Sequence, residues 1–171
     1  MIKLTGLMGL VLASGLLGIM KAETLRERIW LLEDFMKMVM ELKSQMNYFK
    51  EPLPSIFLKT SQKASTPAFQ LLGRCQADLM EKDAEMSEIW LRNIIEVYGK
   101  TPVTREDTER FITLGTFAGQ TDCENQKMQF GWLLQGLEEQ IEEARNTYRQ
   151  KGSMYRRIGF FSGTLAALVL L

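Results

Sequence analysis

The sequence predicts an all-α protein, a six-helix cytoplasmic bundle flanked by an N-terminal and a C-terminal transmembrane helix. Three observations predict it. Two uncharged apolar runs stand at the ends, Leu4–Met20 and Ile158–Leu171. Between them apolar residues recur three and four apart, the spacing of a helix face, and no stretch reads as a strand. Prolines, glycines and hydroxyl-plus-acid pairs punctuate the middle where helices begin and end. The chain therefore divides into a first span (residues 1–21), a helical bundle (22–157) and a second span (158–171).

The first run, LTGLMGLVLASGLLGIM, is just long enough to cross a bilayer at about 1.5 Å per residue. It reads as an uncleaved anchor. A signal peptide is the rival reading, with a single lysine, Lys3, as its basic region and no clear cleavage site after Met20. The second run, IGFFSGTLAALVLL, extends roughly 21 Å, short of the ~30 Å hydrocarbon layer. Tyr155, Arg156 and Arg157 at its inner edge suit a membrane boundary. A C-terminal helix buried in a soluble core is the alternative, disfavoured because the run is apolar on every face.

Basic residues beside the spans predict orientation. Lys21, Arg26, Arg28, Arg156 and Arg157 lie on the middle side, against only Lys3 on the outer side. The bundle should face the cytoplasm. Both runs also carry small residues four apart: Gly9 and Ala13 after Thr5, with Ser14 and Gly18 one position over, and Gly159, Gly163 and Ala167. Such strips let membrane helices approach closely.

The first bundle helix continues from the span over about residues 22–50 on a stripe of Leu25, Ile29, Leu32, Met36 and Val39, and Pro52 and Pro54 end it. A short second helix covers Ser55 to about Gln62. Ser65-Thr66-Pro67 opens a third, to about Lys82, burying Phe69, Leu72, Cys75 and Leu79. Ser87 is the expected cap of a fourth, with Trp90, Ile94 and Val97 before Gly99. Thr104-Arg105-Glu106-Asp107 resembles a capping box and opens a fifth on Phe111, Leu114 and Ala118. Thr121-Asp122-Cys123-Glu124 repeats that pattern before a long sixth helix to about Lys151. Its stripe is Phe130, Leu134, Leu137, Ile141, Ala144 and Tyr148.

Composition narrows the chemistry. Lys3 and Lys21 are the charged side chains outside residues 22–157, so the middle carries 19 cations against 21 acids, a net charge of −2. Such a balance gives no reason to expect nucleic-acid binding. Histidine is absent, which removes Ser-His-Asp and Cys-His catalysis and the commonest metal ligand. Cys75 and Cys123 form no CxxC motif and read as two thiols in a reducing compartment. Glu138, Glu139, Glu142 and Glu143 read as a solvated face, with Glu142 and Arg145 paired, rather than as a cation site. Gly115 and Gly119 suit close helix contact or a turn, since no Walker pattern surrounds them. No catalytic residue, cofactor or metal is expected.

Four segments in this order carry a resemblance: LRER at Leu25–Arg28, YFKEPLPSIF at Tyr48–Phe57, LGTFAGQTDCENQ at Leu114–Gln126 and MYRRIGFFSGTLAALVLL at Met154–Leu171. The chain resembles the stage III sporulation protein AB family over essentially its whole length. The resemblance implies membership of a complex that links mother cell and forespore across two membranes. It also implies similarity to the F-type platform of type II secretion systems, whose cytoplasmic domain is a small six-helix bundle. The expected role is a non-enzymatic platform in the mother-cell membrane facing the forespore. Its expected partners are a secretion-type ATPase, stage III sporulation protein AA, other stage III subunits and further copies of itself. Larger platforms carry two bundles and central spans, whereas this chain has one bundle and terminal spans. A membrane-anchored adaptor with no transport role is the alternative.

Overall fold

The computed structural model describes residues 2–48, 51–81, 84–118 and 123–169, with side-chain surroundings from residue 13 to 165 apart from residues 47–50, 82–83, 119–123, 156 and 163. Six helices follow in chain order: α1 (Ile2–Tyr48), α2 (Leu53–Ser61), α3 (Pro67–Glu81), α4 (Met86–Tyr98), α5 (Arg105–Phe117) and α6 (Cys123–Val169). Among the described residues there is no strand. The all-α class and the six helices are as the sequence predicts.

The chain forms two compact units. One is the helical core Trp30–Ile141. The other combines Met1–Ile29 with Glu142–Leu171 and holds the first part of α1 and the last part of α6. The sixth helix does not stop near Lys151 but continues to Val169. Gly152 does not break it. That glycine is buried, and a β-carbon there would meet the Tyr148 ring at 3.1 Å, so the ring covers the turn that a glycine otherwise exposes.

Local signals account for most helix ends. At α5, Thr104 accepts a hydrogen bond from the Asp107 amide at 3.2 Å, and the Asp107 carboxylate accepts one from the Thr104 amide at 2.8 Å. This reciprocal capping satisfies two amides that the helix itself leaves open. At α4 the expectation fails. The N-cap is Glu85, with no side-chain bond, and Ser87 lies exposed in the first turn. The second helix starts at Leu53 rather than Ser55, because Pro54 fits a first turn whose amides have no partner anyway. The second predicted capping box begins at Thr121 and Asp122, which lie outside the described residues.

The start of α3 is capped from a distance. Thr66 stands where a cap is expected, but its hydroxyl donates to Asp34 of α1 at 2.5 Å. The other Asp34 oxygen accepts the Ala68 amide at 3.0 Å. Asp34 is buried, and these bonds supply the partners that a buried carboxylate requires. They also pin α1 to α3.

The core of the Trp30–Ile141 unit is aromatic. Phe35 stacks on Phe111 with ring centroids 3.9 Å apart, and Trp90 and Tyr98 meet Phe35 edge-on at 6.5 and 6.2 Å. Phe57 adds to Trp90 at 6.2 Å, and Phe117 meets Phe130 of α6 at 5.0 Å. The Trp90 indole is not left unsatisfied, since it donates to the Phe111 carbonyl at 2.9 Å. In this unit the buried apolar residues of α1 are Leu31, Leu32, Phe35, Met38, Val39 and Leu42, whereas Leu25, Ile29 and Met36 of the predicted stripe are half-buried. The buried face is therefore turned by about one residue from the expected one.

Gly115 lies where α5 crosses α4, and a β-carbon there would come within 2.7 Å of the Trp90 β-carbon. The close-contact reading of this glycine holds; Gly119 lies outside the described residues. Gly115→Ala is expected to cost about 1–3 kcal/mol, because the ring it would displace is fully buried and hydrogen-bonded. The midpoint of urea unfolding measures this, and an unchanged midpoint would show that the α4–α5 contact is looser than described.

Cys75 is buried on α3, and burial, with a smaller push from Asp78, raises its thiol to about 12. The thiolate is the reactive form, so Cys75 is expected to resist iodoacetamide at pH 8 in the folded chain and to react once denaturant is added. Alkylation mapped by mass spectrometry, with and without urea, reads this directly.

Candidate functional site: an antiparallel helix pair

The unit that joins the two chain ends places small and hydroxyl-bearing residues between α1 and α6. Ser14 donates to the Gly159 carbonyl at 2.6 Å, and its hydroxyl lies 2.8 Å from that of Ser162. Ser162 also donates to the Gly159 carbonyl of its own helix at 3.2 Å. Four residues further along α1, a β-carbon on Gly18 would stand 2.5 Å from the Tyr155 carbonyl oxygen and 3.2 Å from the Gly159 α-carbon. Conversely, a β-carbon on Gly159 would stand 2.8 Å from the Ser14 carbonyl oxygen and 3.0 Å from the Gly18 α-carbon. Backbone thus meets backbone. Advancing from Ser14 to Gly18 moves the contact back from Ser162 towards Tyr155, so the helices are antiparallel.

The large apolar residues point the other way. Leu16, Leu17, Ile19 and Met20 on α1 are exposed, as are Ile158, Phe160, Phe161 and Leu165 on α6, with Leu17 64% and Phe161 67% accessible. A pair folding for water would bury these side chains and expose the serines. Here Gly18 and Gly159 are buried and Ser14 is half-buried at the contact, while Ser162 and the large apolar side chains are exposed, so close packing of small residues and interhelical hydrogen bonds hold the pair.

Of the small residues singled out in the sequence, Ser14, Gly18 and Gly159 lie in this contact. Ala13 is exposed, and the contact on α1 runs through Ser14 and Gly18 instead. The surroundings of Gly9, Gly163 and Ala167 lie outside the described residues. Among the basic residues, Lys21 and Arg157 are exposed, Arg26 is exposed and 3.3 Å from Glu23, and Arg28 is buried. The Arg156 side chain lies outside the described residues. No described helix is long and apolar enough to cross a membrane. The runs Leu4–Met20 and Ile158–Leu171 each lie partly outside the residues whose side chains are described.

The Trp30–Ile141 unit offers no comparable chemistry. Among the described residues no three or more histidine, cysteine or acidic side chains are grouped to hold a metal. Glu138 and Glu139 of this unit are exposed, as are Glu142 and Glu143 of the other, where Glu142 lies 4.0 Å from Arg145 as expected. The Trp30–Ile141 unit exposes several large apolar side chains, among them Met128 and Trp132, one turn apart on α6, which are 54% and 68% accessible. Sequence spacing did not single them out, since neighbouring Phe130 and Leu134 form the helical stripe and a lone tryptophan beside it carries no periodic signal.

No curated protein matches this chain. A solved structure described as stage III sporulation protein AB shares its fold, with a TM-score of 0.65 at 16% identity, covering 72% of this chain and 97% of that one. The family model for stage III sporulation protein AB matches residues 3–171, nearly the full length, and the chain belongs to that family.

Proposed function

We propose that this protein is a non-enzymatic membrane platform subunit of a secretion-like channel complex required for endospore formation. Its two end segments anchor it in the mother-cell membrane facing the forespore. The bundle stands in the cytoplasm and couples a secretion-type ATPase, stage III sporulation protein AA, to the membrane assembly. The observation that carries this reading is the polarity of the helix pair: Ser14, Gly18 and Gly159 between the helices, leucine and phenylalanine outside. Family membership supplies the sporulation context. The exposed Met128 and Trp132 give the bundle an apolar side suited to a protein partner, since exposed tryptophan is a frequent centre of binding energy.

The test is co-purification of the full-length chain with the ATPase in mild detergent, beside Trp132→Ala. Retention by the wild type, reduced in the variant, supports the coupling role. Absence of retention with both proteins folded would sink that mechanism and leave a membrane-anchored adaptor as the better reading.

A further inference from the structure

The outer face of α6 carries a groove of about 500 Å³. It is lined by Gln150, Ser153, Met154 and Arg157 towards one end and by Ile158, Phe161, Ser162 and Leu165 towards the other. From Gln150 to Leu165 the helix rises roughly 22 Å, and along that length the lining passes from mostly polar to mostly apolar. Arg157 sits where the two meet. It is exposed, and no ion pair engages it among the described residues. From Ala144 onward the sequence contains Arg145, Arg149, Lys151, Arg156 and Arg157 and no acid. On α1 in the same unit, Glu23 is held by Arg26 and Glu27 is exposed.

We propose that this groove binds one anionic phospholipid, with the headgroup phosphate on Arg157, Gln150 and Ser153 and an acyl chain along Ile158, Phe161 and Leu165. The occupant follows from the order of the lining. An inorganic anion would leave the apolar end uncovered. A purely apolar partner would bury the Arg157 charge without a counter-ion, which is costly. An anionic amphiphile satisfies both ends, and a guanidinium suits a phosphate because it offers donors in a planar fork. The proposal rests on the membrane reading above and adds lipid selectivity to it.

The experiment reconstitutes the full-length chain into phosphatidylcholine vesicles with or without phosphatidylglycerol. Flotation after alkaline carbonate washing reads membrane integration. Mass spectrometry of lipids that stay with the protein in mild detergent reads selectivity. The expected result is integration in both vesicles and several-fold enrichment of phosphatidylglycerol over its share of the bilayer. Arg157→Gln should remove the enrichment without affecting flotation, while Arg149→Gln, exposed on the same helix but outside the groove, should keep it. Intact flotation without enrichment overturns the proposal and leaves the membrane reading standing. Equal loss in both variants overturns it in favour of diffuse charge attraction. A dimer cross-linked through this face in place of enrichment makes a second copy the occupant and also overturns it. Failure to float removes both readings.

Discussion

Phe35→Ala is expected to lower the stability of the Trp30–Ile141 unit by about 3–5 kcal/mol, the range for emptying a buried aromatic site. Phe35 is fully buried and touches three aromatic rings from two other helices, stacking on Phe111 and meeting Trp90 and Tyr98 edge-on. Removing it takes away the ring's burial and its aromatic contacts together, and leaves a cavity that Trp90 is poorly placed to fill because its indole is tied to the Phe111 carbonyl. For a domain whose total stability is of order 5–15 kcal/mol, this is a large fraction. Urea midpoints give the comparison. Met36→Ala, at a half-buried neighbour, should cost distinctly less. The opposite ranking would mean that α1 presents a different face to the core.

Gly159→Leu is expected to separate the two helices of the other unit. Even a β-carbon at this position would lie 2.8 Å from the Ser14 carbonyl oxygen and 3.0 Å from the Gly18 α-carbon, both backbone atoms that no rotamer change can move aside. The Ser14–Gly159 and Ser14–Ser162 hydrogen bonds would be lost with the contact. Overpacking of this kind costs about 1–3 kcal/mol, and about 1.4 kcal/mol is a tenfold change in an equilibrium. The readout is oxidative cross-linking of Ser14→Cys with Ser162→Cys in a Cys123→Ser background, Cys75 being buried. The pair should cross-link readily with glycine at 159 and roughly tenfold less with leucine. The unfolding midpoint of the Trp30–Ile141 unit should not move. Undiminished cross-linking would show that the helices meet along another face.

Some of this structure was open to inspection in the sequence because its causes are local. The Thr104–Asp107 capping box involves residues three apart, so it can be read from four letters. The start of α3 at Pro67 and the six-helix count follow from the same short-range chemistry. Family membership was legible for a different reason: four separated segments carry the resemblance in the sequence, and the family model matches residues 3–171.

What periodicity left undecided was which of two overlapping faces of α1 enters the core. Leu25, Ile29, Leu32, Met36 and Val39 form one helical stripe; Leu31, Phe35, Met38 and Leu42 form another, displaced by about one residue. A helix that is apolar over so wide an arc has no internal reason to prefer either. The choice falls to the surface it meets, where Phe111, Trp90 and Tyr98 leave a place for a ring. The same holds for Asp34, whose role as the cap of α3 depends on a residue 34 positions away along the chain. It holds again for the described part of α1, where the contact runs through Ser14 and Gly18 while Ala13 is exposed. By itself the sequence determined that the chain is helical, where most helices begin and stop, and that no histidine-based chemistry is available. Tertiary structure alone decided which faces meet, because a face is selected by its partner and the partner lies far away in sequence.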